Sequence, residues 1–475
     1  MAVGAGLAMA GPASRVLGAN DRIRVAVIGT GGQGWGHMRY FSGIDGVEVA
    51  AICDADRGHL DNRAKGLEER TGVRPKTYVD MREVFDDKNI DAITSATPNH
   101  WHSLLTIWAC QAGKDVYIEK PVSHNVWEGR KMVEAARKYN RIVQTGTQKR
   151  SDAGLMEAFD YIKQGNLGQI KWSRGFCYKK RYKGTNGIVN GTNGPKPVPD
   201  SVDYNLWCGP AEMEPLRREQ LHYKWHWVWN TGNGDLGNQG IHEMDLARWA
   251  LGDPNHLAPR VMSIGGRLGV DDAGETANTQ IIFLGYEPAP LIFEVRGLPA
   301  EAGQKHMPNY RGIRVGMVIQ CEDGYFAGGG GGGWVYDNDG NRIKQFKGTA
   351  GEGHHENFIT AVRSRKRSDL NADIEKGHLS SALCHMGNVS HRLGEHQSIE
   401  EIRSRIDNDD MMDSFERMVE HLKANKIDFG KEPLTVGPML TMDPKSEKFT
   451  GDMSEMANMY VKRNYREPFV VPDKV

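Results

Sequence analysis

The run Gly29-Thr30-Gly31-Gly32-Gln33-Gly34 has Gly-x-Gly-x-x-Gly spacing, and a carboxylate, Asp54, stands 20 residues after its last glycine. A dinucleotide needs this constellation. Gly29 permits a tight turn, Gly31 lets the backbone approach a pyrophosphate, and Gly34 lets a helix pack on the strand before it with its first N–H groups facing the anion. Gly32 and Gln33 complete the turn. Asp54 is placed to accept from ribose hydroxyls and would repel a 2′-phosphate, so NAD is the expected cofactor. Arg57, three residues on, keeps NADP open.

Two other patterns invite chemistry and are set aside. The glycine run 328–333 lacks the following Lys-Ser/Thr that a phosphate loop requires, so it reads as a flexible turn between strands. His222 and His226 have the i, i+4 spacing that places two metal ligands on one helical face. Trp225, Trp227 and Trp229, however, alternate with polar residues at a strand-like period, which separates the two histidines, and no metal site is expected. The six cysteines show no CxxC spacing, so they read as buried thiols rather than a disulfide framework or zinc cluster.

These residues need elements to hold them. Apolar runs at 23–28, 47–52, 91–96, 115–118 and 142–144 alternate with helical patterns that start near Gly34 and cover 103–111 and 126–139. That alternation predicts an α/β, doubly wound parallel sheet over residues 21–148. After Gly146 the strands become longer and more polar-alternating, at 170–178, 260–268, 278–284, 290–295 and 315–321, with helices at 153–164, 242–250, 356–364 and 379–393. Residues 149–475 are therefore expected to form an α+β domain around a large, mostly antiparallel open sheet. Its stretch 183–223, rich in Gly, Pro and Asn, reads as an ordered loop insertion near the site.

Composition excludes several classes. Sixty Lys+Arg against sixty-one Asp+Glu leave a formal charge of -1, so there is no basic field for nucleic acid or an anionic membrane. With 39% hydrophobic and 25% charged residues and no long apolar run, the 475-residue chain reads as globular and non-membrane. Residues 1–20, small and weakly apolar, read as the remnant of an export signal of twin-arginine type, without its charged region; a flexible arm of a cytoplasmic protein is the runner-up. The expected location is periplasmic.

The glycine turn, then ATPNHWH at 96–102, EKP at 119–121, VQTGTQKR at 143–150 and GDLGNQGIHEMDLARW at 234–249 together resemble the Gfo/Idh/MocA family of sugar and polyol oxidoreductases, over about residues 22–400. The resemblance implies a Rossmann domain, a second domain whose open sheet usually mediates oligomers, a catalytic lysine at Lys120 and a general acid/base at His242. Residue chemistry agrees: hydride exchange at a secondary alcohol needs a base for the hydroxyl proton and a donor for the oxygen. It further implies that Thr97, Pro98, Asn99 and His102 line the cofactor path, with Glu119 and Gln148 near the nicotinamide. Where simple dehydrogenases of the family usually carry Asp, four residues before the histidine, this chain has Asn238, which orients a ring but cannot stabilise imidazolium as a carboxylate would. Asp245, three residues after His242, either supplies that charge or serves the helix dipole. Arg150, Tyr178 and Trp225 are candidates for a sugar subsite, with Lys120 and His242 touching the same substrate. The expectation is an NAD(P)-dependent oxidoreductase of a sugar, sugar derivative or cyclitol, or alternatively a glycosidase that uses tightly held NAD transiently. A homo-dimer or homo-tetramer is the default assembly.

Overall fold

The computed structural model describes residues 22–183, 186–191 and 194–475; the expected export segment, residues 1–20, lies outside them. Strand β1 (Ile23–Ile28) is almost wholly buried, as a central parallel strand with helices on both faces must be. It is followed by α1 (Gly32–Phe41), β2 (Val47–Cys53), α2 (Arg57–Thr71), β3 (Lys76–Tyr78), α3 (Met81–Asp86), β4 (Ala92–Ser95), α4 (Asn99–Gln111), β5 (Asp115–Ile118), α5 (Val126–Lys138) and β6 (Val143–Thr145). The six strands pair in parallel in the order β3-β2-β1-β4-β5-β6, the Rossmann arrangement whose strand order reverses beside β1. The sequence reading did not carry α2, β3 or α3 and began α4 four residues late.

The second half contributes α6 (Ala153–Lys163), β7 (Ile170–Tyr178), a short hairpin β8 (Tyr182–Lys183) and β9 (Asn186–Gly187), α7 (Tyr204–Cys208), α8 (Ile241–Ala250), and strands β10 (Arg260–Gly266), β11 (Thr279–Leu284), β12 (Leu291–Arg296) and β13 (Val315–Cys321). Two further strands, β14 (Tyr325–Gly329) and β15 (Gly332–Tyr336), form a hairpin through the glycine run 328–333, so that run is a turn between strands. Then come β16 (Arg342–Lys347), α9 (His354–Ser364), α10 (Ile374–Arg392), β17 (Glu395–Gln397), α11 (Ile399–Arg405), α12 (Asp409–Ala424), β18 (Leu434–Val436), β19 (Leu440–Asp443), β20 (Lys448–Thr450) and α13 (Ser454–Asn458). Twelve strands form one mixed sheet, antiparallel except where β7 runs parallel to β12.

Two packing features place the site. Helix α9 leaves the second half and packs Phe358, Ile359 and Val362 against Val25, Val27 and Ile52 of the Rossmann sheet. Helix α12 lays Met411, Phe415 and Met418 over Met262, Ile264, Ile281 and Phe283 of β10 and β11. All six cysteines are free and buried. Among the described residues no helix is long and apolar enough to cross a membrane.

Candidate active site

The glycine turn is shaped as its sequence requires. Gly29 has φ +83, and a Cβ there would stand 2.8 Å from the Ala96 carbonyl carbon and the Thr97 nitrogen. A Cβ on Gly34 would fall 1.8 Å from the Gly29 carbonyl oxygen, so α1 packs where only glycine fits. Gly31 and Gly32 are different: a Cβ on either meets nothing within 4 Å. Both line a cavity of about 670 Å³ at the N-terminus of α1, an open cradle of backbone N–H groups suited to a pyrophosphate. Asp54 Oδ2 accepts the Thr30 N–H at 2.7 Å and the Thr30 hydroxyl at 2.8 Å, which ties the acidic residue to the glycine turn. The residues present therefore fit a nicotinamide dinucleotide.

The same cavity collects Gln33, Thr97, Pro98, Asn99, His102, Glu119, Lys120 and Gln148, all from ends of Rossmann strands or the helices after them. His102 lies 2.7 Å from the Pro121 carbonyl and 2.9 Å from that of Thr97, bracing the turn that follows β5, whose Lys120–Pro121 peptide is cis. Glu119 is buried and accepts from Gln33 at 2.9 Å, from His37 Nε2 at 3.0 Å and from Gln148 at 3.2 Å. Burial alone would raise its carboxyl, but the hydrogen bond with His37 and the nearby Lys120 charge hold it well below the usual carboxylate range. His37, which also sits 2.6 Å from the Thr94 hydroxyl, is a partner the sequence reading missed. It lies one α1 turn beyond Gln33, so both reach Glu119 from one face.

Lys120 and His242 line the same cavity. The Lys120 ammonium donates to the Asn238 carbonyl at 2.9 Å and reaches its Oδ1 at 3.5 Å. Burial lowers its pKa, with Glu119 opposing. His242 opens α8, and burial with the nearby Lys120 and Lys149 charges pushes its ring well below the ordinary histidine value. The ring is therefore neutral at pH 7, and its Nδ1 is buried without a hydrogen-bond partner.

Asn238 does not orient His242. Residues 236–240 form a π-helical turn that runs into α8, and the wider spacing of that turn breaks the i, i+4 stacking that an α-helix would give. The asparagine meets Lys120 instead. Asp245 is also not a partner of His242: it is buried in a bidentate pair with Arg150 at 2.8 Å and accepts from Ser380 at 2.6 Å. Arg150 in turn bonds Asp253 at 2.9 Å and lies under Trp249, 5.3 Å from its ring centroid, so it is a structural cation and does not line the cavity. Tyr178 likewise lies outside it, donating to buried Glu294 at 2.7 Å.

Trp225 does line the cavity, but not as part of a strand. Residues 224–227 form a 3-10 turn that stacks Trp225 on His226, with centroids 3.6 Å apart, while Trp227 is buried and donates to Asp235 at 3.2 Å. Burial pushes His226 down to about 3, so this platform is uncharged. The insertion reaches over the Rossmann half: Asp203 N–H donates to Ala55 O at 2.8 Å and Arg57 N–H to Ser201 O at 2.9 Å. Its Leu206, Trp207, His222 and Tyr223 complete the cavity wall beyond Asp54. Alternation in sequence gave no signal for this contact, which closes a gap of about 150 residues.

Residues 23–147 match the family described as an oxidoreductase family with an NAD-binding Rossmann fold, and residues 166–287 match its C-terminal alpha/beta domain, together just over half of the chain. The chain is 29% identical over 149 residues to an inositol 2-dehydrogenase of Salmonella typhimurium, which covers 31% of this chain and 43% of the relative. It is 28% identical over 154 residues to a glycosyl hydrolase family 109 protein of Shewanella pealeana, covering 32% and 34%. These matches span between a third and a half of the curated relatives' length. Among solved structures, an oxidoreductase from Agrobacterium radiobacter in complex with NAD+, L-tartaric acid and magnesium superposes with TM-score 0.56 at 16% identity, covering 77% of this chain and 95% of that one. The WlbA dehydrogenase from Bordetella pertussis in complex with NADH and UDP-GlcNAcA superposes with TM-score 0.53 at 22% identity, covering 76% and 94%. These likenesses establish the fold.

Proposed function

The chain belongs to the Gfo/Idh/MocA oxidoreductase family, and from that premise we propose that it exchanges a hydride between a nicotinamide dinucleotide and a ring hydroxyl or ketone of a sugar, sugar derivative or cyclitol. The observation that carries the reading is the pairing of a neutral, unpartnered histidine with a buried lysine on the wall of the cavity that the glycine turn opens. When bound, the dinucleotide supplies the hydride acceptor or donor, and Gly31, Gly32 and Asp54 would hold it. His242 takes the hydroxyl proton as alcohol becomes ketone, since its ring is neutral at the working pH. Lys120 donates to the same oxygen; its ammonium has three N–H donors and Asn238 occupies only part of them. Once His242 is charged it lies near Lys120, and the Glu119 carboxylate, which acts on His242 in the opposite sense, is its counter-charge. Trp225, stacked on His226, offers an apolar face for sugar C–H groups.

The test is to incubate the full chain with NAD or NADP and a panel of sugars and cyclitols while following reduced cofactor. One substrate class should generate it with wild type and not with His242→Asn. A second reading, a glycosidase that borrows NAD within each turnover, draws support from the insertion, which is bonded to the Rossmann half and covers the Asp54 end of the cavity. It predicts aglycone release from aryl glycosides with no lasting reduced cofactor.

A further inference from the structure

Spacing in the sequence pairs His222 with His226, but the fold sends them to different neighbours. His226 turns into the catalytic cavity, while His222 leaves the insertion to meet Asp56 and His59 on the Rossmann half. Asp56 Oδ2 lies 2.8 Å from His222 Nε2, and the His59 and His222 rings are 4.3 Å apart, tilted by 30°. One ligand atom from each of the three residues lies within 4.8 Å of the other two. Donors around a tetrahedral ion with bonds of ~2.0–2.1 Å stand roughly 3.3 Å apart. The rings need only shift modestly to close on one centre.

Each residue has a frame. Asp56 is the N-cap of α2 and spends Oδ1 on the Gly58 N–H at 2.9 Å; its carboxylate also bonds Ser201, and Oδ2 faces His222. His59 sits in the first turn of the same helix, three residues on. His222 is carried by a segment already held to this corner by the Asp203–Ala55 and Arg57–Ser201 backbone bonds. Asp56 is buried and the two histidines half-buried, with both rings on the cavity wall, so an ion here would keep a coordination position open to solvent or ligand. Two imidazoles and one carboxylate form a borderline donor set that selects divalent transition metals over magnesium or calcium.

The geometry points to a divalent transition-metal site of the zinc class at Asp56, His59 and His222, which clamps the insertion onto the Rossmann half beside the Asp54 end of the cofactor cavity. The site is independent of the oxidoreductase reading and stands or falls by metal binding alone. The experiment uses the tag-free full chain, stripped with a chelator and titrated with zinc chloride in competition with a chromophoric chelator. One zinc per chain is expected, with an X-ray absorption spectrum carrying the signature of two imidazole ligands. His222→Ala and Asp56→Asn should each weaken binding by about 100-fold or more, since loss of an outer partner alone typically costs ~10–100-fold. Asparagine caps a helix as well as aspartate, so the second variant keeps α2 while removing the carboxylate. His226→Ala should bind zinc like wild type. Zinc that is not retained against the chelator, or that binds both ligand variants with wild-type affinity, would overturn the site and leave Asp56–His222 as a hydrogen-bonded contact only.

Discussion

The two walls of the cavity are built on different principles. The wall at the glycine turn comes from one βα unit and its neighbouring strand, and its chemistry belongs to the backbone: open N–H groups at Gly31 and Gly32, and a carboxylate bonded to Thr30. The catalytic wall gathers side chains from Lys120, 225–226 and 238–242, drawn from three parts of the chain. Spacing fixes the first wall, because a tight turn and a helix start leave one arrangement. In the second, the identity of each partner depends on which helix type intervenes and on which charge reaches a carboxylate first. Asp245 lies on the α-helical face that spacing assigns it, yet Arg150 takes its carboxylate into the core.

His242→Asn and Lys120→Met should each lower kcat/KM by about 10²–10⁴-fold while leaving cofactor affinity and the melting temperature near wild type, as steady-state kinetics and calorimetry would read. Because burial and the nearby lysines depress the His242 pKa, the base stays neutral as pH falls past ~6.5, and the acid limb of kcat/KM should begin below that ordinary value. An acid limb at or above it would mean that the histidine is not the group being titrated.

Arg150→Met removes the bidentate partner of the buried Asp245 carboxylate, while Asp253 keeps Arg248 and Lys376. It should cost about 3–5 kcal/mol of unfolding free energy in denaturant titration and leave the sugar KM unchanged. A raised KM with intact stability would return Arg150 to the substrate wall. Asp54→Ala removes a charged hydrogen-bond acceptor and should weaken NAD binding by about 10- to 100-fold, with a small effect on kcat. Equal loss of kcat would erase the distinction between the walls.

What the sequence made legible follows the same division. Strands β1, β5, β7 and β13 begin and end where their apolar runs do, and helices α5, α6 and α8 lie within a residue of their patterns. Helix α2 escaped because only Leu60, Ala64 and Leu67 are buried along its 15 residues, too thin an apolar stripe to stand out. Helix α12 was legible in principle, since Met411, Phe415, Met418 and Leu422 recur at helical spacing, but the sequence reading ends its elements at 393. The cofactor residues were found because glycine chemistry is local. Arg150 and Tyr178 were misassigned because a cation or phenol suits a sugar subsite and a buried ion pair equally well, and only packing decides between them. The contact of the insertion with Ala55–Arg57 left no trace in local pattern, since it joins two irregular segments far apart in sequence through backbone bonds.

Hydride exchange in this cavity requires that the glycine-turn cradle hold a dinucleotide. The decisive measurement is equilibrium binding of NAD to the full chain, set beside Gly31→Val, a substitution whose Cβ meets no protein atom but projects into the cradle. One NAD per wild-type chain is expected, and for the variant an unchanged melting temperature with binding lost. A wild-type chain that binds no nicotinamide nucleotide, or a variant that binds it as tightly as wild type, would contradict that expectation.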